Sequence, residues 1–150
     1  MPEFEYQNIE AWNTGIRLAT AVGRLKVGSN LKAAADAHQH AFEQAGLACA
    51  LIAEGSQREG PAQTGMYRDA RGALAQARSW LHVLAAVMNE PEAVFSNELD
   101  LAEQASRQLN AMLRNIERGT PGPRPPMRGG PAGAPPPRHG GPPRPPRGTQ

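Results

Sequence analysis

The sequence predicts an all-α protein, an antiparallel up-down-up-down four-helix bundle followed by a disordered Pro/Gly/Arg-rich tail, and three observations carry that expectation. Apolar residues recur at alternating threes and fours through four separate stretches, the period of one helical face. No stretch shows the period-two alternation or the Val/Ile/Thr enrichment of strands. The last 32 residues, 119–150, hold twelve of the fifteen prolines, eight of the sixteen glycines and five arginines, with no acidic residue. Such a composition cannot offset the entropy of ordering and predicts a mobile, partly polyproline-like arm of charge +5. Residues 1–118 carry eleven Lys/Arg against fourteen Asp/Glu, a net −3, so the overall +2 hides two electrically opposite parts.

The first helix is expected from Asn8 to Lys26, with Ile9, Trp12, Ile16, Ala19, Val22 and Leu25 on its inner face. Val27, Gly28, Ser29 and Asn30 then offer a C-terminal glycine and two capping side chains, so the second helix folds back antiparallel. Its face reads Leu31, Ala35, His38, Phe42, Ala45, Cys49, Ile52 and ends at Gly55; a loop follows through Pro61. The third helix begins near Ala62 to Thr64 and presents Tyr67, Ala70, Leu74, Ala77, Leu81, Leu84 and Met88. Asn89, Pro91 and Glu92 read as an N-terminal capping arrangement for the fourth helix, whose face is Phe95, Leu99, Ala102, Ser106, Leu109, Leu113 and Ile116. Twenty-three alanines precede residue 119, which predicts close helix approach and a slim core.

A second apolar stripe runs beside the core seam: Ala73, Trp80 and Val87 at intervals of seven, with Leu101, Ala105 and Met112 outside the seam of the fourth helix. Either the core face is wide, or Ala73, Trp80 and Val87 form a subunit interface.

Ile52, Ala53, Glu54 and Gly55, followed by Arg58 and then Tyr67, Arg68, Asp69, Ala70, Arg71, Gly72, Ala73, Leu74, Ala75, lie between and along the second and third helices. With Ile9, Glu10, Ala11, Trp12 opening the first helix, this pattern resembles the bacterial four-helix-bundle family encoded in intervening sequences of large-subunit ribosomal RNA genes. One branch of that family comprises the accessory variability determinants of diversity-generating retroelements. The resemblance covers most of residues 8–118 and excludes the tail. It implies a ring-like homopentamer, no enzymatic activity, and nucleic acid and a reverse transcriptase as partners. Leu51 stands where the family usually has asparagine, and Glu43 and Gln44 where arginines are common, so a basic surface on the second helix is not carried over.

The residues themselves supply no catalytic constellation. A bundle metal site needs facing glutamates and a Glu three residues before a His, yet Ala35, Ala37 and Ser79 hold that position before His38, His40 and His82. His38 reads as a hydrogen-bonded core histidine and Cys49, far from any helix N-terminus, as a small buried hydrophobe. Glu54 at a helix C-terminus opposes the helix dipole and needs a partner, either the backbone of the following loop or Arg58. No cofactor motif is present.

Two basic features point to a polyanion. Arg68, Arg71, Arg78 and His82 form an outward ridge on the third helix that could track phosphates, although solvated arginines are the simpler account of it. Arg107, Arg114 and Arg118 of the fourth helix have Glu103 at intrahelical pairing distance from the first of them. In the tail Arg124, Arg128, Arg138, Arg144 and Arg147 lie among glycines and prolines without a single acid, as expected of an arm for RNA or single-stranded DNA. The Pro142 to Arg147 run also fits a proline-rich ligand for an aromatic groove. A lone cysteine, no basic-then-apolar leader and no long apolar run predict a soluble cytoplasmic protein without membrane contact.

Overall fold

A computed structural model describes residues 4–28 and 30–119. Among them are four α-helices, α1 (Glu10–Gly23), α2 (Lys32–Ser56), α3 (Gly60–Val87) and α4 (Ser96–Gly119), with 3-10 turns at Glu5–Asn8 and Glu92–Phe95 and no strand. The predicted tail lies outside the described residues except for Gly119.

Helices adjacent in sequence pack on each other, and α1 closes the ring against α4. Every pair is antiparallel. Gly15 of α1 faces Cys49 of α2 and Gly23 faces Phe42, while Arg68 of α3 reaches Glu117 of α4 and Arg71 reaches Asn110. As numbers rise on one helix they fall on its neighbour. The all-α bundle is therefore the observed fold.

Which face each helix buries follows less closely. On α3 the expected seam is buried from Tyr67 through Leu84. On α1 the buried residues are Ala11, Thr14, Gly15, Leu18 and Val22; Ile16 is on the surface and Trp12 and Ala19 flank the core. The first half of α2 is rotated in the same way, burying Ala34, Ala37 and Ala41 while Leu31, Ala35 and Phe42 are exposed; from Ala45 onward the expected face holds. The reason is close approach. A Cβ on Gly15 would sit 2.9 Å from Cys49 Sγ, and one on Gly23 would sit 3.0 Å from the Phe42 ring. At Gly15 and Gly23 the missing side chain admits Cys49 Sγ and the Phe42 ring against α1, and the alanines of α2 fill the rest of the buried contact. Twelve of the 23 buried hydrophobic residues are alanines, which makes the core as slim as its composition predicts.

The helix boundaries also shift. α1 stops at Gly23, and α2 begins after Leu31 without a side-chain cap, so the turn residues near Gly28 and Asn30 do not cap either helix. Ser29 lies outside the described residues. α2 extends through Ser56 and α3 starts at Gly60, whose φ of +59° requires glycine-like freedom, so the connection is only Gln57 to Glu59. Asn89 belongs to the end of α3, not to the start of α4. With φ 53° it takes the left-handed position after the helix, its N–H bonding Ala86 O and the Glu90 N–H reaching Ala85 O. On α4, Ala105 occupies the core in place of Ser106, and Glu98 is buried in the first turn, where the positive end of the helix dipole favours a carboxylate.

Candidate functional site

The Ile-Ala-Glu-Gly turn has a packing explanation. Gly55 is buried at the end of α2, and the Tyr67 ring of α3 lies against its bare Cα, where a Cβ would come within 2.8 Å of Tyr67 Cε1. Gln63 of α3 also donates from Nε2 to Gly55 O at 3.2 Å. Burial raises the Tyr67 hydroxyl above its ordinary pKa, and the Glu5 charge raises it further against a hydrogen bond from Gln63. Glu54 accepts from Arg58 Nη2 at 3.0 Å, the arginine partner expected for it. This motif joins two helices; it holds no reactive arrangement.

Cys49 sits where the sequence implies, whereas His38 is hydrogen-bonded as expected but only half-buried, at the edge of the core. His38 Nε2 lies 2.6 Å from Val22 O, so in the tautomer with hydrogen on Nε2 it donates to a carbonyl at the C-terminal end of α1. Cys49 is 6% exposed, and desolvation pushes its thiol from 9.0 to about 11, which keeps it protonated and unreactive at neutral pH. Among the described residues no three His, Cys, Asp or Glu side chains gather closely enough to hold a metal ion, and no helix is long and apolar enough to cross a membrane.

The basic ridge of α3 is largely engaged by α4. Arg68 Nη2 donates to Glu117 Oε1 at 2.9 Å and Arg71 Nη1 donates to Asn110 Oδ1 at 2.8 Å. His82 Nδ1 stands 2.9 Å from Glu92 Oε1 without forming an aligned hydrogen bond, which makes it a charge contact only when the ring is protonated. Arg78 is exposed and has no ion-pair partner among the described residues. Among the described residues the ridge is thus an interhelical strap, with Arg78 outside it. Arg107 pairs with Glu103 one turn away. Arg124, Arg128, Arg138, Arg144 and Arg147 lie outside the described residues.

The second apolar stripe divides. Ala73 is 2% exposed, within the core of one chain, and Ala105 is equally enclosed. Trp80 is partly buried and stacks on His40 of α2 with ring centroids 4.4 Å apart, and Val87 is partly buried further along α3. Val83, 40% exposed, continues the Trp80 face, and Leu47, 44% exposed, with Leu51 continues the His40 face across the seam. Sequence reading missed Leu47, Leu51 and Val83 because they are off the α2 and α3 core seams; the signal was Val83 three residues after Trp80, and Leu47 and Leu51 seven and eleven residues after His40.

Beyond α2 and α3, the structure brings together a cleft between the start of α1 and the second half of α4, of about 490 Å3, which meets a second recess of about 410 Å3 at Glu10 and Gln108. No family model, curated protein or solved structure matches the chain.

Proposed function

We propose that this chain is a non-enzymatic, homo-oligomeric adaptor whose arginine-rich C-terminal segment binds nucleic acid or a nucleoprotein partner in a reducing, cytoplasmic compartment. The observation that carries the reading is compositional: five arginines and no acid in residues 119–150, next to a bundle of net charge −3. Each arginine can displace condensed counterions from a nucleic acid, and several arms on one oligomer multiply weak contacts by avidity. Exposed Val83 and Leu47, on the α3 and α2 faces that carry Trp80 and His40, are the support for self-association, since exposed large apolar groups often mark interfaces. Resemblance to the retroelement accessory proteins supplies the finer reading, a pentameric ring that partners a reverse transcriptase.

A second reading, a protein-binding scaffold without nucleic acid, draws on the ridge. Arg68 is paired with Glu117 and Arg71 is held by Asn110, so these two side chains of the α3 ridge are already engaged within the bundle. One experiment separates the two readings. Fluorescence anisotropy with mixed-sequence RNA and single-stranded DNA should show that deleting residues 119–150 lowers affinity by about tenfold or more at moderate salt, roughly 1.4 kcal/mol. Changing Arg124, Arg128, Arg138, Arg144 and Arg147 together to Gln should reproduce most of that loss. Equal binding by both proteins, or binding by neither, overturns the electrostatic arm and leaves the scaffold.

A further inference from the structure

The cleft between α1 and α4 is lined by an unusual concentration of carboxamides. Asn8, Gln108 and Asn115 border its larger recess, and Asn13, Gln104 and Gln108 the smaller. Asn13 spends its Nδ2 on Gln7 O and Ile9 O. The side chains of Asn8, Gln104, Gln108 and Asn115 make no hydrogen bond among the described residues, and Gln108 Oε1 is shielded from solvent with no partner. A buried carbonyl oxygen is normally paired, so Gln108 Oε1 is an acceptor open to a donor from a bound group. Between the carboxamides the floor is apolar, formed by Ala11, Ala111 and Met112.

We propose that this cleft binds an extended peptide segment of a partner protein, recognised through its backbone. A carboxamide carries a donor and an acceptor side by side, which is the complement of a peptide group. An extended strand exposes free N–H and C=O groups along its edge, whereas a helix of a second bundle has already paired its own. Gln104 and Gln108, one helical turn apart, are separated by about 6 Å along α4, close to the roughly 6.6 Å over which an extended chain repeats the same orientation. From Gln104 to Asn115 the span is about 16 Å, room for about five extended residues. The small apolar floor accepts alternate side chains of modest size.

Charge argues against a polyanion in the same place. Arg107 is held by Glu103, and of the α1 residues Glu10 borders both recesses and Arg17 the smaller one, so acids and bases around the cleft balance. Phosphates gain nothing there, while an uncharged peptide backbone needs no net field. The inference goes beyond the nucleic-acid reading and stands or falls independently of it.

The test uses the full chain. A phage-displayed random peptide library is selected on the protein, and a recovered peptide is synthesised for anisotropy and for amide chemical-shift mapping. The expected result is perturbation of residues bordering the cleft, and at least about a tenfold loss of affinity in the double variant Gln104→Ala, Asn115→Ala. Both side chains are exposed, so circular dichroism should report an intact bundle. Gln108→Leu, which removes the orphaned oxygen, should weaken binding likewise. Recovered peptides that bind both the double variant and Gln108→Leu with unchanged affinity overturn the proposal. So does failure to recover any peptide that shifts cleft resonances, or mapping that finds an oligonucleotide or a second copy of the chain in the cleft instead.

Discussion

Gly55→Ala tests the central packing claim, that α2 and Tyr67 approach too closely for any side chain at residue 55. The new Cβ would stand 2.8 Å from Tyr67 Cε1, 3.0 Å from Tyr67 Cδ1 and 3.0 Å from Met66 Cβ. The last of these atoms is fixed to the α3 backbone and cannot rotate away. Tyr67 is 3% exposed and enclosed by its neighbours, so the helices must separate or the ring must leave its preferred rotamer. Overpacking of this kind costs about 1–3 kcal/mol. Replacing glycine by alanine inside a helix returns up to about 1 kcal/mol, and less near a helix end. The net expectation is a loss of about 1–2 kcal/mol. Gly72→Ala is the control, because a Cβ there meets nothing within 4 Å in the middle of α3. It should stabilise by up to about 1 kcal/mol, so the two variants should move in opposite directions. Urea denaturation followed by helical circular dichroism measures both, and each kcal/mol should shift the thermal midpoint by about 4–8 °C in a domain of this size. If Gly55→Ala stabilises as much as Gly72→Ala, the close approach at Gly55 does not constrain the bundle and the account of the Ile-Ala-Glu-Gly turn is wrong.

Cys49 should resist a soluble thiol reagent at neutral pH in the folded protein and react promptly once urea unfolds it; stoichiometric labelling of the native chain would contradict its burial. Because the folded thiol titrates near 11 and the unfolded one near 9.0, the unfolded chain loses its proton first. Stability should therefore fall as pH rises above about 9, and Cys49→Ala should flatten that decline in denaturation series. His38→Ala should cost about 0.5–1.5 kcal/mol in urea unfolding by removing one of two donors to Val22 O, the Leu25 N–H remaining, and an unchanged midpoint would show that the 2.6 Å contact contributes nothing. Trp80→Ala should reduce the assembly seen by light scattering at micromolar protein while helicity persists. Loss of helicity ahead of assembly would instead assign Trp80 to the core of one chain.

The candidate surfaces were unequally visible in the chain. Arg68 and Arg71 were identifiable as an outward basic pair from spacing alone, but their consumption by Glu117 and Asn110 depends on α4 lying alongside α3. Trp80 stood out as a large apolar group off the core seam, whereas its stacking partner His40 is forty residues away and on another helix. The α1–α4 cleft gave no linear signal. Gln104, Gln108 and Asn115 are unremarkable polar residues of an amphipathic helix until Asn8 and Glu10 are placed opposite them.

Sequence by itself determined the helical class, the number of helices and the α3 core face, because hydrophobic periodicity is local and the leucines of α3 leave one strong stripe. It also determined that Cys49 belongs to the interior, since it sits among apolar residues far from any helix N-terminus. Tertiary structure decided the rotation of α1 and of the first half of α2. There the large residues Ile16, Leu31 and Phe42 mark a plausible seam, yet the helices meet through Gly15, Gly23, Ala34, Ala37 and Ala41. A hydrophobic pattern weighs side chains by size and polarity, while close packing rewards the smallest ones where two backbones meet. That preference arises only when the second helix is in place.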